Sequence, residues 1–583
     1  MLLAALFHVL CYDHQFLWYF QYCFPCYYKP RMKASALAVT AATVGYATAS
    51  FDAREATIAS THHGLYTGLT TCREVVSSFV SRIEALNNQT NAVLALDPNA
   101  LKTADAMDAR LQANNASGYG PLFCIPTLLK DNWDTSDMPT TGANVYLNQS
   151  QPTEDAPATA ALRKAGAVII GKANLHELAL EGLTVSSLGG QTVNPYDSTR
   201  TPGGSSGGTG AAVAASFAVW GTGTDTVNSL RSPASANSLF SCRPTRGLIS
   251  RAGIIPISYT QDAIGPIARC VEDVATALTV MAEVGYDEDD NTTALVPAGI
   301  RNTDYTAGLA QGSLKGLRLG LIEGFFNRTN SSETTPVNEA MANITSKLRS
   351  AGATIIPITD NLYNASAIAA DLDTQRYEYR QLMNQYLQRP SLSGPRPKTL
   401  DELYATPPGK FLVIPSEYEY VNTALVSSTS NESWEGKPSY ATVQSGIQNL
   451  TLALQETFSA NDLDAMIYPE QKNLVVPIGS PSQSGRNGIL AALTGSPVVT
   501  VPAGFSEATE TAPEGVPIGM EILGQPWTEE KLLQIAFEIQ GLGRVRKTPS
   551  WAKEMVDVKE YREVPDVTPN TGNIPNAYPL GTL

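Results

Sequence analysis

The sequence feature that most favours chemistry is a glycine-rich loop with two adjacent serines, PGGSSGGTG at 202–210. Five glycines in nine residues argue against a helix or strand interior, because glycine loses the most backbone entropy on folding and has no side chain to pack. A phosphate-binding loop of the Walker type is excluded, since it requires lysine where Thr209 stands. Three interpretations remain: a nucleophile elbow, a serine activated by a lysine, and a structural turn.

The elbow interpretation fails on the order of residues along the chain. The stretch 204–208 fits the pattern G-x-S-x-G, but that enzyme class needs an acid and then a histidine downstream of the serine. All five histidines precede the loop, and His176 is the last of them. The shortage of histidine also argues against a histidine-rich metal site.

A lysine can activate a serine in place of histidine if it is kept neutral. Burial disfavours the charged form and lowers the lysine pKa, and the neutral amine can then act as a general base. Lys130 directly follows the apolar run CIPTLL and is therefore a candidate for that role. The alternative is an ion pair between Lys130 and Asp131, or another carboxylate, at the end of a strand.

Several blocks of the chain together resemble the amidase signature family. They are CIPTLLKDN (124–132), GKANLHELA (171–179), PGGSSGGTGAAVAA (202–215), GTDTVNSLRSPAS (223–235), PTRGLISRAGIIPIS (244–258), QDAIGPIAR (261–269) and the C-terminal stretch 494–538. The resemblance covers roughly residues 55–545 in the family's order. It implies one α/β/α domain with a large twisted mixed sheet and helices on both faces, and no metal or organic cofactor.

The resemblance also implies a Ser-cisSer-Lys triad. Ser229 would be the nucleophile, Ser205 the bridging serine in a cis peptide, and Lys130 the base. Ser206 is expected to support the proton relay by hydrogen bonding.

The same resemblance places an oxyanion hole on the backbone N–H groups of Thr226, Val227, Asn228 and Ser229. Val227 and Asn228 stand where the family usually has glycines. If the backbone there has a positive φ, asparagine tolerates it and valine scarcely does. Either the hole persists with a narrower pocket, or its donors are misdirected and turnover is low.

Other polar residues near these motifs are interpreted as structural. Asp225 and Arg231 flank the proposed nucleophile and are expected to form an ion pair or a hydrogen-bonded pair that shapes the loop. His176 is expected to start a helix or lie in the core. Glu177 and Glu181 have helical i, i+4 spacing and are expected on a solvated face.

Apolar periodicity predicts the elements that carry these residues. Apolar positions at helical spacing predict an amphipathic helix at 70–90, and 99–114 is predicted as another. A buried strand is predicted to end near Lys130. Helix–glycine–strand units recur at 155–174 and 338–359 and favour an α/β architecture. Further strands are predicted at 317–322, 464–468 and 497–501, and a last helix at 528–542.

Composition favours one large globular domain. The 583 residues are 43% apolar and 16% charged, without a linker-like tract. We predict an N-terminal extension and signal peptide at 1–49, an amidase domain at 50–562 and an irregular tail at 563–583. The net charge of −15 argues against a nucleic-acid partner. The apolar stretch at 1–28 is interrupted by polar residues at 13–15, so no membrane-spanning helix is expected there.

The N-terminal region and the sequons together predict secretion. A signal peptide is predicted to start at Met32 and to be cleaved near Ala49, with a signal anchor or a disordered tail as the alternative. Ten Asn-x-Ser/Thr sequons suit the secretory pathway: Asn88, Asn115, Asn148, Asn291, Asn327, Asn330, Asn343, Asn364, Asn431 and Asn449. Four cysteines remain after cleavage, namely Cys72, Cys124, Cys242 and Cys270. Their spacing leaves both a disulfide and buried free thiols open.

The sequence thus predicts a secreted, glycosylated amidase that hydrolyses a small-molecule carboxylic amide. An esterase with the same triad is one alternative. A non-catalytic binding protein with the amidase fold is another, favoured by Val227 and Asn228. A transamidating subunit that matures aminoacyl-tRNA conflicts with the predicted signal peptide and sequons.

Overall fold

An eleven-stranded sheet organises the protein, in the order β1–β4–β2–β7–β9–β8–β14–β15–β13–β10–β11. The computed structural model describes residues 51–113, 119–405 and 438–575, which belong to one compact unit spanning Ala49–Leu583. The predicted extension and signal peptide at 1–49 lie outside the described residues. The strands are β1 Val93–Leu96, β2 Ile125–Lys130, β3 Gln151–Pro152, β4 Ala167–Ala173, β5 Val185–Ser186, β6 Gly190–Gln191, β7 Trp220–Asp225, β8 Phe240–Arg243, β9 Ala263–Ala268, β10 Arg318–Ile322, β11 Thr354–Ile358, β12 Leu392–Ser393, β13 Ala465–Pro469, β14 Val498–Phe505 and β15 Pro517–Leu523.

The sheet is mixed. Strand β2 runs parallel to β4 and β7, and β10 runs parallel to β11 and β13, while the other neighbouring pairs of this sheet are antiparallel. Two small antiparallel pairs, β3 with β12 and β5 with β6, lie apart from it. The described helices are α1 Ile58–Tyr66, α2 Cys72–Thr90, α3 Ala100–Gln112, α4 Pro157–Lys164, α5 Gly207–Ala214, α6 Arg231–Ala236, α7 Val271–Ala282, α8 Thr335–Ser350, α9 Ala365–Leu372, α10 Gln375–Gln388, α11 Leu400–Tyr404, α12 Tyr440–Asn461, α13 Ile489–Thr494 and α14 Glu529–Gly541.

Helices cover both faces of the sheet, as the alternation along β13 shows. Ala465 and Ile467 belong to the apolar cluster that includes residues of α8. Met466 and Tyr468, the residues between and after them, belong to a second cluster that includes residues of α12. Successive side chains of a strand point to opposite faces, so the two clusters lie on opposite sides. The predicted α/β fold with a large mixed sheet is confirmed.

Local sequence signals explain where the elements begin and end. Helix α2 starts after Thr71, whose side chain accepts a hydrogen bond from the Glu74 backbone, and it ends at Asn91 with a φ of 53°. Between α4 and β4, Gly166 has a φ of 94° and a Cβ there would lie 2.7 Å from Phe123 Cα. Only glycine suits this turn, and the helix–glycine–strand units predicted from the sequence are present.

The four cysteines among the described residues form one disulfide and two free thiols. Cys72, at the start of α2, is bonded to Cys124, just before β2, with 5.7 Å between their Cα atoms. Cys242 and Cys270 are free, and Cys242 is buried. Both possibilities that the sequence left open are therefore realised, at different positions.

Candidate active site

Two neighbouring parallel strands bring the candidate residues to one edge of the sheet. Strands β2 and β7 end at Lys130 and Asp225, and parallel pairing places these carboxyl ends side by side. The backbone N–H of Lys130 donates to Thr222 Oγ1 at 3.1 Å, which joins the two strand ends. The serine loop at 202–206 leads into α5, which packs on the same strands.

The Lys130 amine contacts two hydroxyls. Its Nζ lies 2.8 Å from Ser205 Oγ and 2.7 Å from Thr224 Oγ1. The side chain is fully buried, and this burial lowers the pKa of Lys130 well below its ordinary value. Asp131 is instead 3.7 Å from Lys172, so the alternative pairing of Lys130 with Asp131 is not formed.

The serine loop is fixed by its backbone. The peptide bond between Gly204 and Ser205 is cis, as the family resemblance implied. The Ser205 carbonyl accepts a hydrogen bond from the His176 N–H at 3.0 Å. The Ser206 N–H donates to the carbonyl oxygen of Ser229 at 3.3 Å. The loop and the segment that carries Ser229 are thus held against each other.

The segment before Ser229 presents free donors. Within the described chain, the backbone N–H groups of Thr226, Val227, Asn228 and Ser229 have no acceptor. Neither Val227 nor Asn228 has a positive φ, so the strain considered for valine at this position does not arise. No hydrogen bond joins the hydroxyls of Ser229 and Ser205 in this part of the structure. Unpaired N–H groups in succession suit stabilisation of an anionic oxygen.

A buried charge network lies beneath this segment. Arg231 pairs with Asp225 at 3.0 Å and with Glu521 at 2.9 Å, and Arg243 pairs with Asp225 at 2.6 Å. All four side chains are fully buried. Burial by itself raises the pKa of Asp225, but the charges of Arg231 and Arg243 outweigh it and lower the pKa to about 2. Asp225 also accepts from the Leu230 N–H at 3.1 Å, which orients the chain immediately after Ser229.

The expectation that Glu177 and Glu181 lie on a solvated face was wrong. Both side chains are buried: Glu177 accepts from the Ser187 N–H at 3.1 Å, and Glu181 accepts from the Gln483 N–H at 2.9 Å. The residues Glu177–Ala179 form a 3-10 turn, so the α-helical i, i+4 spacing does not apply.

His176 is buried as expected and immediately precedes this turn. Burial lowers the pKa of His176 to about 3, so its imidazole is neutral at physiological pH.

Two residues near the triad candidates were missed by sequence reasoning. Thr224 contacts Lys130, and Glu470 accepts a hydrogen bond from the Asn228 side chain at 2.9 Å. The contact of Thr224 with Lys130 depends on the pairing of β2 with β7, so no local sequence pattern indicates it. No local pattern marks Glu470, which follows the end of β13 far along the chain.

Among residues 51–113, 119–405 and 438–575, no group of three or more His, Cys, Asp or Glu side chains is arranged to hold a metal ion. In the same part of the chain, every helix is too short or too polar to cross a bilayer.

Comparison with known proteins agrees with the fold. The Amidase family model matches residues 74–533. A glutamyl-tRNA(Gln) amidotransferase polypeptide of Desulfatibacillum aliphaticivorans is 31% identical over 510 residues, which are 83% of this chain and 97% of that protein. A probable amidase of Arabidopsis thaliana is 31% identical over 517 residues, with 86% and 93% covered. The native peptide amidase of Stenotrophomonas maltophilia has a TM-score of 0.71 at 30% identity and covers 85% of this chain and 98% of its own.

The chain therefore belongs to the amidase signature family, whose members act on the carbon–nitrogen bonds of amides.

Proposed function

We propose that this protein hydrolyses a linear carboxylic amide through an acyl-enzyme on Ser229. The observation that carries the proposal is the buried Lys130 amine, 2.8 Å from Ser205 Oγ and without a carboxylate partner within hydrogen-bond distance in the described chain. Burial lowers the pKa of Lys130 and so favours the neutral amine, whose lone pair can take a proton.

In the proposed reaction, Lys130 takes the proton of Ser205 while Ser205 takes that of Ser229. Ser229 Oγ then attacks the amide carbonyl, and the free N–H groups of 226–229 stabilise the oxyanion. The carbon–nitrogen bond breaks as the proton returns along the relay to the departing amine. Water, activated by the same relay, attacks the ester of Ser229, releases the carboxylic acid and restores the serine. No step uses a metal or a cofactor.

The backbone at Val227 and Asn228 supports catalysis over the alternative of a non-catalytic binding protein. That alternative rested on strain and misdirected donors at the two positions. Without a positive φ at either residue, valine and asparagine occupy ordinary backbone conformations. The N–H groups that the mechanism requires also remain unpaired in the described chain.

Two other activities are alternatives for the same site. An esterase follows from the same acyl-enzyme, because an activated serine also attacks esters. The name of the bacterial amidotransferase relatives suggests transamidation on tRNA. The net charge of −15 disfavours that second candidate, since an acidic surface repels the phosphates of tRNA.

The first experiment is labelling of the purified protein with a fluorophosphonate probe, beside Ser229→Ala and Lys130→Ala. We expect labelling of the wild type, none with Ser229→Ala, and strong reduction with Lys130→Ala. Ser482→Ala, a serine on a separate segment, is the matched control and should label like the wild type. Matched amide and ester substrates then separate amidase from esterase. A folded wild type that neither labels nor cleaves amides contradicts the proposal.

We also propose that the protein is secreted and N-glycosylated. The eight sequon asparagines among the described residues are all exposed, whereas Asn115 and Asn431 lie outside them. The Cys72–Cys124 disulfide fits an oxidising compartment. Expression of the full chain in a eukaryotic host should yield protein in the medium that loses mass on treatment with an N-glycosidase. Retention inside the cell without glycan contradicts this proposal.

A further inference from the structure

The residue immediately before the proposed nucleophile is tied by its side chain to a distant strand. Asn228 Nδ2 donates to Glu470 Oε1 at 2.9 Å, and each side chain is only 1% exposed. The family pattern usually has a glycine at position 228, which has no side chain to make such a bond. The bond is therefore a feature of this chain and not of the shared triad.

The backbone of Glu470 is held in place by hydrogen bonds. It follows directly after β13, and its own N–H donates to the Gly519 carbonyl at 3.1 Å. Its carbonyl accepts from the Asn487 N–H at 3.1 Å, and the Asn487 side chain donates to the Pro469 carbonyl at 2.8 Å. The backbone on either side of Glu470 is thus bonded to two other segments.

The segment that contains Asn487 and Gly488 also packs against the backbone before Ser229. A Cβ on Gly488 would lie 2.6 Å from Asn228 Cβ, so only glycine permits this approach. Arg231 Nη2 donates both to the Gly488 carbonyl, at 3.0 Å, and to the carbonyl of Val227. Two polar attachments, one through Val227 and one through Asn228, therefore hold residues 227–228.

These attachments leave the backbone N–H groups of residues 226–229 free to bind an oxyanion. The Asn228 carbonyl accepts from the N–H groups of Arg231 at 2.9 Å and Ser232 at 2.8 Å, at the start of α6. Its side-chain Nδ2 donates to Glu470, while the backbone N–H groups of 226–229 have no acceptor in the described chain. Fixing both the carbonyl and the side chain of Asn228 restricts the directions that the adjacent N–H groups can take.

We infer that Glu470, acting through the side chain of Asn228, is a positioning residue that aims the oxyanion-hole N–H groups of this enzyme. The inference rests on the proposed function, because it assigns a role within the same reaction. It predicts that the bond matters to the transition state and little to substrate binding. A loss at this position therefore lowers kcat and leaves KM nearly unchanged.

The test compares kcat and KM for one amide across variants of the pair. Asn228→Ala and Glu470→Ala are each expected to lower kcat at least about tenfold, since loss of one oxyanion donor costs about 10²–10³. The double variant is expected to be no slower than either single one, because both remove the same bond. Glu470→Gln keeps an acceptor oxygen and is expected to restore most of the rate.

A swapped pair tests the bond itself. Burial raises the pKa of Glu470 to about 8, so above that pH Asn228→Asp places a second carboxylate against an ionised Glu470 and removes the donor, and kcat should fall. Adding Glu470→Gln supplies a donor from the other side and should recover part of kcat. Glu529, another fully buried glutamate, accepts from the Thr245 N–H, and Glu529→Ala is the matched control. It should lower the melting temperature without the fall in kcat per folded molecule.

The outcomes separate this inference from the proposed function. An active wild type, silenced by Ser229→Ala but indifferent to changes at 228 and 470, overturns the positioning role alone. Additive losses in the double variant, or a fall equal to that of the Glu529 control, also overturn it. A folded wild type without labelling or amide cleavage overturns both.

Discussion

Thr224 Oγ1 lies 2.7 Å from Lys130 Nζ, about as close to the amine as Ser205 Oγ. The Asn132 side chain donates to the same Thr224 oxygen at 3.2 Å. Lys130 is therefore held between two hydroxyls, and one of them is fixed by an amide. In the proposed mechanism this contact directs the lone pair of the neutral amine toward Ser205.

Replacing Thr224 should reveal this orienting role. Thr224→Val keeps the shape but removes the hydroxyl, and we expect kcat on an amide to fall about tenfold to hundredfold, less than the roughly 10²–10⁴-fold contribution of a whole general base because Lys130 itself remains. Thr224→Ser keeps the hydroxyl and should stay within a few-fold of the wild type. Steady-state kinetics checks both, and equal rates for the valine and serine variants would remove the orienting role.

The rate should rise with pH as Lys130 loses its proton. Burial lowers the pKa of Lys130 well below the ordinary lysine value of 10.5. Above the folded-state pKa the amine is neutral and able to act as base, so kcat/KM should reach its plateau well below pH 10.5. A pH–rate profile between about pH 5 and 10 on a neutral amide measures this, and a rate that still rises at about pH 10 would contradict it.

The same shift predicts a pH-dependent stability. The folded-state pKa is lowered, so between it and 10.5 the unfolded chain binds more protons and stability rises with pH. Lys130→Met lacks this dependence. The free energy of unfolding of Lys130→Met should exceed that of the wild type most at pH values below the folded-state pKa of Lys130. Between that pKa and pH 10.5 the difference should shrink by about 1.4 kcal/mol per pH unit.

Denaturant unfolding of the two proteins at several pH values measures the difference. Lys102→Met, at an exposed lysine on α3, is the control and should show no comparable trend. A difference between Lys130→Met and the wild type that stays constant up to about pH 10 would show that Lys130 is charged in the folded state.

Loss of the disulfide should destabilise the fold. Cys72 and Cys124 are 52 residues apart, and closing a loop of that length contributes about 4 kcal/mol in the chain-entropy model. Cys72→Ser/Cys124→Ser should lower the free energy of unfolding by a few kcal/mol. Activity at a temperature well below the unfolding transition should persist. The disulfide joins the start of α2 to the residue before β2, whereas Lys130 lies at the opposite end of that strand. Cys242→Ser, at a free thiol, is the control.

The sequence predicted what depends on local pattern. The strand ending at Lys130 and the helix–glycine–strand units follow from apolar periodicity, and the mixed sheet follows from the family resemblance. Thr224 was missed because its contact depends on the pairing of β2 with β7, which no local pattern states. Glu470 lies 242 residues from Asn228, and Glu177 and Glu181 were misassigned because a 3-10 turn replaced the assumed α-helix.

The strand order has a consequence for the growing chain. Six adjacent strands, β1, β4, β2, β7, β9 and β8, are complete by residue 268, and they already carry Lys130 and the loop before Ser229. The other five come later, and the last, β15, supplies Glu521 to Arg231. A nascent chain that stops short of β15 leaves Arg231 without that partner and the sheet open at its centre. The ion-pair network beneath the loop before Ser229 can therefore be completed only after the chain has been translated through β15.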